Sequence, residues 1–221
     1  MILRMNLRAI CLIGGLFVLT LGVADGQAGG PYREKSAEQW VPLFDGETLD
    51  GWESVNFGGE GLVSVRDGQI LMEPGIMLTG VTWQRDFPRT DYEIRLEAIR
   101  LEGRDFFCGL TFPVAESHCT LIVAGWAGAV VGLSCVDGRD ASENQTTRYL
   151  RFENDRWYAI RLRVTADRIT AWIDGQQVVD LETTDRHLEP RPEVELSKPL
   201  GIAAWQSRVA YRKVSYRRLP P

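Results

Sequence analysis

Apolar and polar residues alternate along most of the chain in short runs, separated by turn residues at roughly 8–12-residue spacing, the pattern of a sandwich or jelly roll. In "DYEIRLEA" the apolar set is Tyr92, Ile94, Leu96 and Ala98, with Glu93, Arg95 and Glu97 between them. A period of two puts these two sets on opposite faces of a strand. Asp67-Gly68 divides "LVSVR" from "QILME", and Asp174-Gly175 divides "ITAWI" from "QQVVD". Asp-Gly between two alternating runs predicts a hairpin. Further strands are expected at 41–44, 76–83, 91–101, 105–114, 117–125, 129–136, 147–153, 156–165, 199–206 and 208–218. "LFDGETLDGW" at 43–52 holds two Asp-Gly pairs, which exclude a helix and favour a loop after the first strand. No helical period appears after residue 40. The segment 183–197, rich in Pro, Glu and Arg, reads as a long surface loop. The pattern predicts an all-β, antiparallel sandwich with a single domain at 40–218.

Parity fixes more in the middle of the chain. Treated as a meander, the strands at 91–101, 105–114, 117–125 and 129–136 keep one face apolar without a register slip, and a one-residue slip would invert a strand. That register sets Leu96 against Leu110, Phe112 against Cys119, Leu110 against Leu121, Leu121 against Leu133 and Cys119 against Cys135. On the opposite face one row reads Arg95, Thr111, Thr120, Ser134, and the next reads Glu97, Gly109, Ile122, Gly132. A floor of small side chains leaves room for a ligand on a concave sheet face. The plainer reading is an outer face thinned to fit the twist of the sheet.

The N-terminus changes the picture of where this domain works. Arg4 and Arg8 precede an apolar run from Ala9 to Val23, with Gly22 and Ala24 as small residues at a cleavage site. This predicts an export signal at 1–24, a flexible leader at 25–39, and a periplasmic or extracellular protein. The apolar run falls short of the ~20 residues of a membrane span, so no span is expected after cleavage. The chain carries 25 basic against 30 acidic residues, a net charge of −5. With no basic run interleaved with aromatics, a nucleic-acid partner is not expected.

Metal and thiol chemistry is sparse. The only histidines, His118 and His187, exclude a zinc site built from several histidines, and no cofactor is evident. "VDGRDASENQTTR" at 136–148 offers Asp137, Asp140, Glu143 and Asn144 for a carboxylate-bound Ca²⁺ or a sugar. With no helix following, a solvated turn is the simpler account. Cys11 leaves with the signal, so Cys108, Cys119 and Cys135 remain. The register above puts Cys119 and Cys135 side by side, both facing the core, and free thiols are expected there.

Several segments, in order, resemble the 3-keto-disaccharide hydrolase domain family: "LFDGETLDGW", "YEIRLEAIR", "RWYAIRLRV…ITAWIDGQQVVD" and "PLGIAAWQSRVAYRKV". The resemblance covers about 40–218 and implies a concanavalin A-like jelly roll, exported in many family members. It also implies cleavage of 3-keto-glycosides. A ketone at C3 acidifies the hydrogen on C2, and the glycosidic oxygen on C1 is then a β leaving group. Elimination followed by hydration gives net hydrolysis. This needs a base near C2, a cation or donor for the enolate oxygen, and an acid for the leaving group. Glu97 falls on the family glutamate and is the candidate base, with Arg95 or Arg212 as the enolate partner. Gln206 and Arg212 also stand on matching positions.

The chain departs from the family at polar positions. Phe107-Cys108-Gly109 replaces the usual Asn-Ser-Gly, "HCTLIVAGW" lacks the usual alternation of Glu, Gln and Asp, and Arg208 replaces a histidine. Two classes therefore stay open: a hydrolase, and a non-catalytic lectin-like module for a carbohydrate or glycoside ligand. The substrate-binding candidates are Thr111, Thr120 and Ser134 on the small-residue floor, with Trp126, Trp205 and Gln206 at strand ends, where an indole can stack on a sugar ring.

Overall fold

The computed structural model describes residues 39–220. The expected export signal at 1–24 and all but the last residue of the leader at 25–39 lie outside them. In chain order the strands are β1 (Val41–Pro42), β2 (Trp52–Ser54), β3 (Val63–Arg66), β4 (Gln69–Met72) and β5 (Leu78–Trp83). Then follow β6 (Tyr92–Glu102), β7 (Cys108–Val114), β8 (Ser117–Ala124), β9 (Val130–Ser134) and β10 (Arg148–Tyr149). The last five are β11 (Trp157–Val164), β12 (Arg168–Ile173), β13 (Gln176–Glu182), β14 (Gly201–Trp205) and β15 (Arg208–Arg218). The first sheet has the order β13-β12-β11-β6-β15-β4-β3, with β1 also on β15, and the second β10-β9-β8-β7-β14-β5-β2. All of these pairings are antiparallel. The fold is the expected all-β jelly-roll sandwich.

The alternation explains how the sheets stack. Tyr92, Ile94, Leu96 and Ala98 of β6 meet Leu110, Phe112, Leu121 and Leu133 of the second sheet in one continuous core. Each large aliphatic side chain buried this way contributes roughly 1.5–3 kcal/mol. Both Asp-Gly hairpins form, with positive φ at Asp67, Gly68, Asp174 and Gly175, as primed turns require. The "LFDGETLDGW" stretch is a structural clip between the sheets. Its start bonds to Val214 of the first sheet, its end is β2 in the second, and Trp52 Nε1 donates to the Leu43 carbonyl at 2.7 Å. Gly51 is required there, since a Cβ would lie 2.6 Å from the Trp83 ring.

The meander reading is half right. The β7–β8–β9 registers are as expected, with Phe112 opposite Cys119, Thr111 opposite Thr120, and Thr120 opposite Ser134. However, β6 does not pair with β7: it lies between β11 and β15 in the other sheet. The short Glu102-Gly103-Arg104 connection crosses between sheets instead of turning a hairpin. Parity assigns each residue of β6 to the correct face, but it carries no information about which strand lies alongside.

Two other readings change. The 183–197 segment is not simply a surface loop, because its 3₁₀ turn Pro192–Ser197 buries Val194 and Ser197 against the second sheet. The thiols of Cys108, Cys119 and Cys135 are free, and Cys119 is fully buried. Cys135 does not face the core beside it. After Ser134 the chain leaves β8 and bonds to Glu189, so Cys135 is only partly buried. Among the described residues no helix is long and apolar enough to cross a membrane.

Candidate functional site

The outer face of the second sheet carries the small-residue floor, and the floor is wider than parity predicts. One row runs Thr82, Gly201, Thr111, Thr120, Ser134 across five strands. The next runs Gly80, Ala203, Gly109, Ile122, Gly132. Gly201 and Ala203 of β14 stand where Arg95 and Glu97 were expected. Much of this floor makes room for the protein's own loops. A Cβ on Gly201 would lie 2.5 Å from the Ser197 carbonyl oxygen, one on Gly109 3.0 Å from Phe106, and one on Gly132 3.0 Å from the Ala141 carbonyl. The buried hydroxyls of Thr111 and Thr120 satisfy each other at 2.9 Å.

What those loops leave open is a cleft of about 280 Å³ above Thr120, Ile122 and Ser134. Its walls are Leu78, Phe106, Val194, Trp205 and Trp126, and Asp105, Arg191 and Glu193 stand around it. Phe106 and Trp205 pack with centroids 6.3 Å apart. Trp126 is the exposed aromatic, with 42% of its surface open. It sits in a turn where Ala124, Trp126 and Ala127 all have positive φ (66°, 49° and 63°). Each such residue costs on the order of 1 kcal/mol or more, and strain of this kind gathers at ligand clamps. Asp105 holds the turn by accepting the Ala127 N–H at 3.2 Å and the Phe106 N–H at 2.7 Å. The aromatic walls suit the face of a sugar ring, while the Thr120 and Ser134 side chains beneath them are fully buried.

Neither carboxylate at the cleft is free for acid–base work. The oxygens of Asp105 are engaged by those backbone donors. Arg191 bridges Glu193 at 2.9 Å and Asp140 at 3.0 Å, and its hydrogen bond holds the Glu193 carboxyl below its ordinary value. Gln206 does not reach the cleft, because its amide donates to the Ile76 carbonyl at 2.7 Å. Phe106, Leu78, Arg191 and Glu193 escaped the sequence reading. Phe106 and Leu78 lie in segments whose alternation predicts strands but does not mark a cleft, and Arg191 and Glu193 come from a loop without periodicity.

The catalytic candidates lie on the other sheet. Glu97, Arg95 and Arg212 occupy the outer face of the first sheet, with the whole core between them and the cleft. Stacked sheets are about 10 Å apart, so Glu97 cannot reach a sugar held at Trp126. It accepts from Arg212 Nε at 2.6 Å and from Lys213 Nζ at 2.7 Å. Burial would raise its pKa, but the Lys213 and Arg212 hydrogen bonds outweigh burial and lower it. Held ionised between two cations, Glu97 is a weak base.

The 136–148 loop resolves into local bonds. Asn144 Nδ2 donates to the Leu133 and Asp140 carbonyls at 2.7 Å, Asp140 accepts from Ser142, and Asp137 accepts from Arg186 and the His187 N–H. Among the described residues no three His, Cys, Asp or Glu side chains come together as a metal site. His118 shares the outer face of the second sheet with Thr120. Its Nε2 is buried without a partner, and burial, then Lys198 and Arg89, lower its pKa.

Fold and cleft together define a jelly roll of the concanavalin A-like class with an aromatic groove on one sheet. The chain belongs to the 3-keto-alpha-glucoside-1,2-lyase-like domain family, whose model matches residues 39–217. Among solved structures it is similar to the apo Crh5 transglycosylase, at 13% identity and a TM-score of 0.56, covering 84% of this chain and 85% of that one. It is also similar to the carbohydrate-binding module CBM66 from Bacillus subtilis, at 12% identity and TM-score 0.50, covering 76% and 95%. A Bacillus subtilis protein with a galectin-like fold matches at 10% identity and TM-score 0.54, covering 81% and 94%. At these identities the likeness is one of fold. No curated protein sequence matches the chain.

Proposed function

We propose that this protein is an exported carbohydrate-binding domain whose ligand lies in the cleft over the second sheet, stacked on Trp126. The observation that carries this reading is the separation of the two candidate sets. The aromatic groove is on one face, and the glutamate matching the family base is salt-bridged on the other. Transglycosylase and carbohydrate-binding relatives in fold support a sugar ligand. The apolar run behind Arg4 and Arg8 supports export, and the engagement of Asp137 by Arg186 and of Asp140 by Ser142 and Arg191 favours binding without a cation.

A second reading, elimination from a 3-keto-glycoside, rests on family membership and on His118. Its imidazole is neutral at pH 7, lies on the cleft's sheet, and has an unpartnered Nε2. As base it would take the proton from C2 while the C1–O bond breaks, its electron pair leaving with the glycosidic oxygen, which takes a proton from water. Calorimetry with neutral oligosaccharides, run beside turnover assays on a 3-keto-disaccharide, separates the two. Binding lost in Trp126→Ala without any cleavage by the wild type supports the binding module. Cleavage that stops in His118→Gln and continues in Glu97→Gln would replace it with the enzyme.

A further inference from the structure

The middle of the first sheet's outer face, on β6, β11 and β15, carries six cations against two carboxylates in a chain of net charge −5. Glu93 is fully buried and takes Arg163 at 2.6 Å, Arg217 at 2.5 Å and, more loosely, Arg161 at 3.5 Å. Glu97 takes Arg212 and Lys213. Arg95 pairs with no carboxylate among the described residues; its Nε donates to Ser215 Oγ at 2.9 Å.

Arg95 and Arg161 are direct register partners across β6 and β11. Like charges directly opposed on neighbouring strands destabilise a sheet. Both guanidinium planes are nonetheless held in place, Arg95 on the Trp40 ring at 4.1 Å and Arg161 on the Trp172 ring at 3.9 Å. The four residues line one hollow of about 590 Å³. Two fixed forks, with terminal N–H groups left to donate, match the geometry of an oxyanion.

We propose that Arg95 and Arg161 bind the carboxylate or sulfate groups of an acidic polysaccharide. A polymer suits the face because the Glu93 and Glu97 clusters, each with surplus positive charge, flank the pair about 7 Å to either side along the strand. Single-stranded nucleic acid fits less well: guanidinium groups already stack on Trp40 and Trp172, the rings a base would need. The site is on the opposite sheet from the Trp126 cleft and does not depend on what that cleft binds.

The test is calorimetry of the whole protein with oligogalacturonate, a heparin-derived oligosaccharide, a neutral glucan oligomer and a single-stranded DNA oligomer. Binding of either acidic oligosaccharide, weakened as salt is raised from about 50 to 500 mM, supports the site and identifies carboxylate or sulfate as its group. Arg95→Gln and Arg161→Gln should each weaken it about tenfold or more, whereas Trp126→Ala should not. Because a charge clash is relieved, Arg95→Gln should keep or raise the melting temperature. Arg95→Lys, which keeps the charge and loses the fork, should also bind less well. Absence of acidic-glycan binding would overturn the proposal. So would indifference to the double Gln variant, equal affinity for DNA, or a clear fall in melting temperature in Arg95→Gln.

Discussion

The two outer faces of this sandwich solve the same problem in opposite ways. The first sheet covers itself with long charged side chains that stack on Trp40, Trp157 and Trp172 and close onto Glu93 and Glu97. The second sheet presents Gly, Ala, Thr and Ser, and lets the Pro192–Ser197 turn and the 136–148 loop fold over it. A face finished by its own side chains leaves a charged surface. A face finished by loops leaves a gap wherever the loops do not meet, and here that gap is the aromatic cleft. The family glutamate, Glu97, sits in the ion-pair lattice of the first face, not at the cleft.

The most damaging change should strike that lattice. Glu93→Gln leaves Arg161, Arg163 and Arg217 around a fully buried neutral amide. Removing one partner of a buried ionic cluster typically costs about 3–5 kcal/mol, and since these arginines reach water the loss should be ~3 kcal/mol. Urea denaturation measures it. A loss under about 1 kcal/mol would mean that solvent already screens the cluster, and that the first face is held together by its tryptophans.

The corresponding change on the second face should spare stability and remove binding. Trp126→Gly places glycine at φ 49°, where it is relaxed, and deletes the exposed indole. Sugar affinity should fall about 30-fold or more, as for an aromatic hot spot, while the melting temperature holds or rises. A variant that melts earlier and binds normally would make Trp126 a packing residue.

How much of this was legible in the sequence depends on which physical rule each feature follows. The β7–β8–β9 registers were readable because the turns are short and the parity is strict. The Thr111, Thr120, Ser134 row followed directly. The neighbours of β6 were not readable. Tyr92 to Ala98 alternates identically whether the next strand joins the same sheet or the facing one, so Arg95 and Glu97 were set beside Thr111 and Gly109. Arg191 and Val194 come from a Pro-rich segment whose position over the sheet depends on long-range packing, with no local period to reveal it.

Glu97 offers a finer test of its structural role. Its folded pKa lies below the ordinary 4.5 because the Lys213 and Arg212 hydrogen bonds outweigh burial. A lowered carboxylate pKa contributes stability above the unfolded value, and that contribution is lost as pH falls through the folded one. Glu97→Gln should therefore cost up to ~1 kcal/mol at neutral pH, discounted because Lys213 is well exposed. The gap to wild type should close below about pH 4. Sugar binding at the cleft should not change. A gap that widens in acid would show that the pairing has been misread.

The smallest expected effect is a few-fold change in the reactivity of one thiol. Burial pushes Cys108 and Cys119 up to about 12, so neither should react in the folded protein. Cys135 is also raised by burial, but less completely enclosed, and should react slowly and first. Its Sγ lies 3.8 Å from Ser134 Oγ, and Arg191 acts on its charge; both residues line the cleft. A neutral oligosaccharide in the cleft should slow Cys135 labelling several-fold by covering that edge. An acidic oligosaccharide on the first sheet should leave the rate unchanged, since the core separates the two faces. Equal protection by both ligands, measured by mass spectrometry of the labelled peptide, would mean that the faces are not independent.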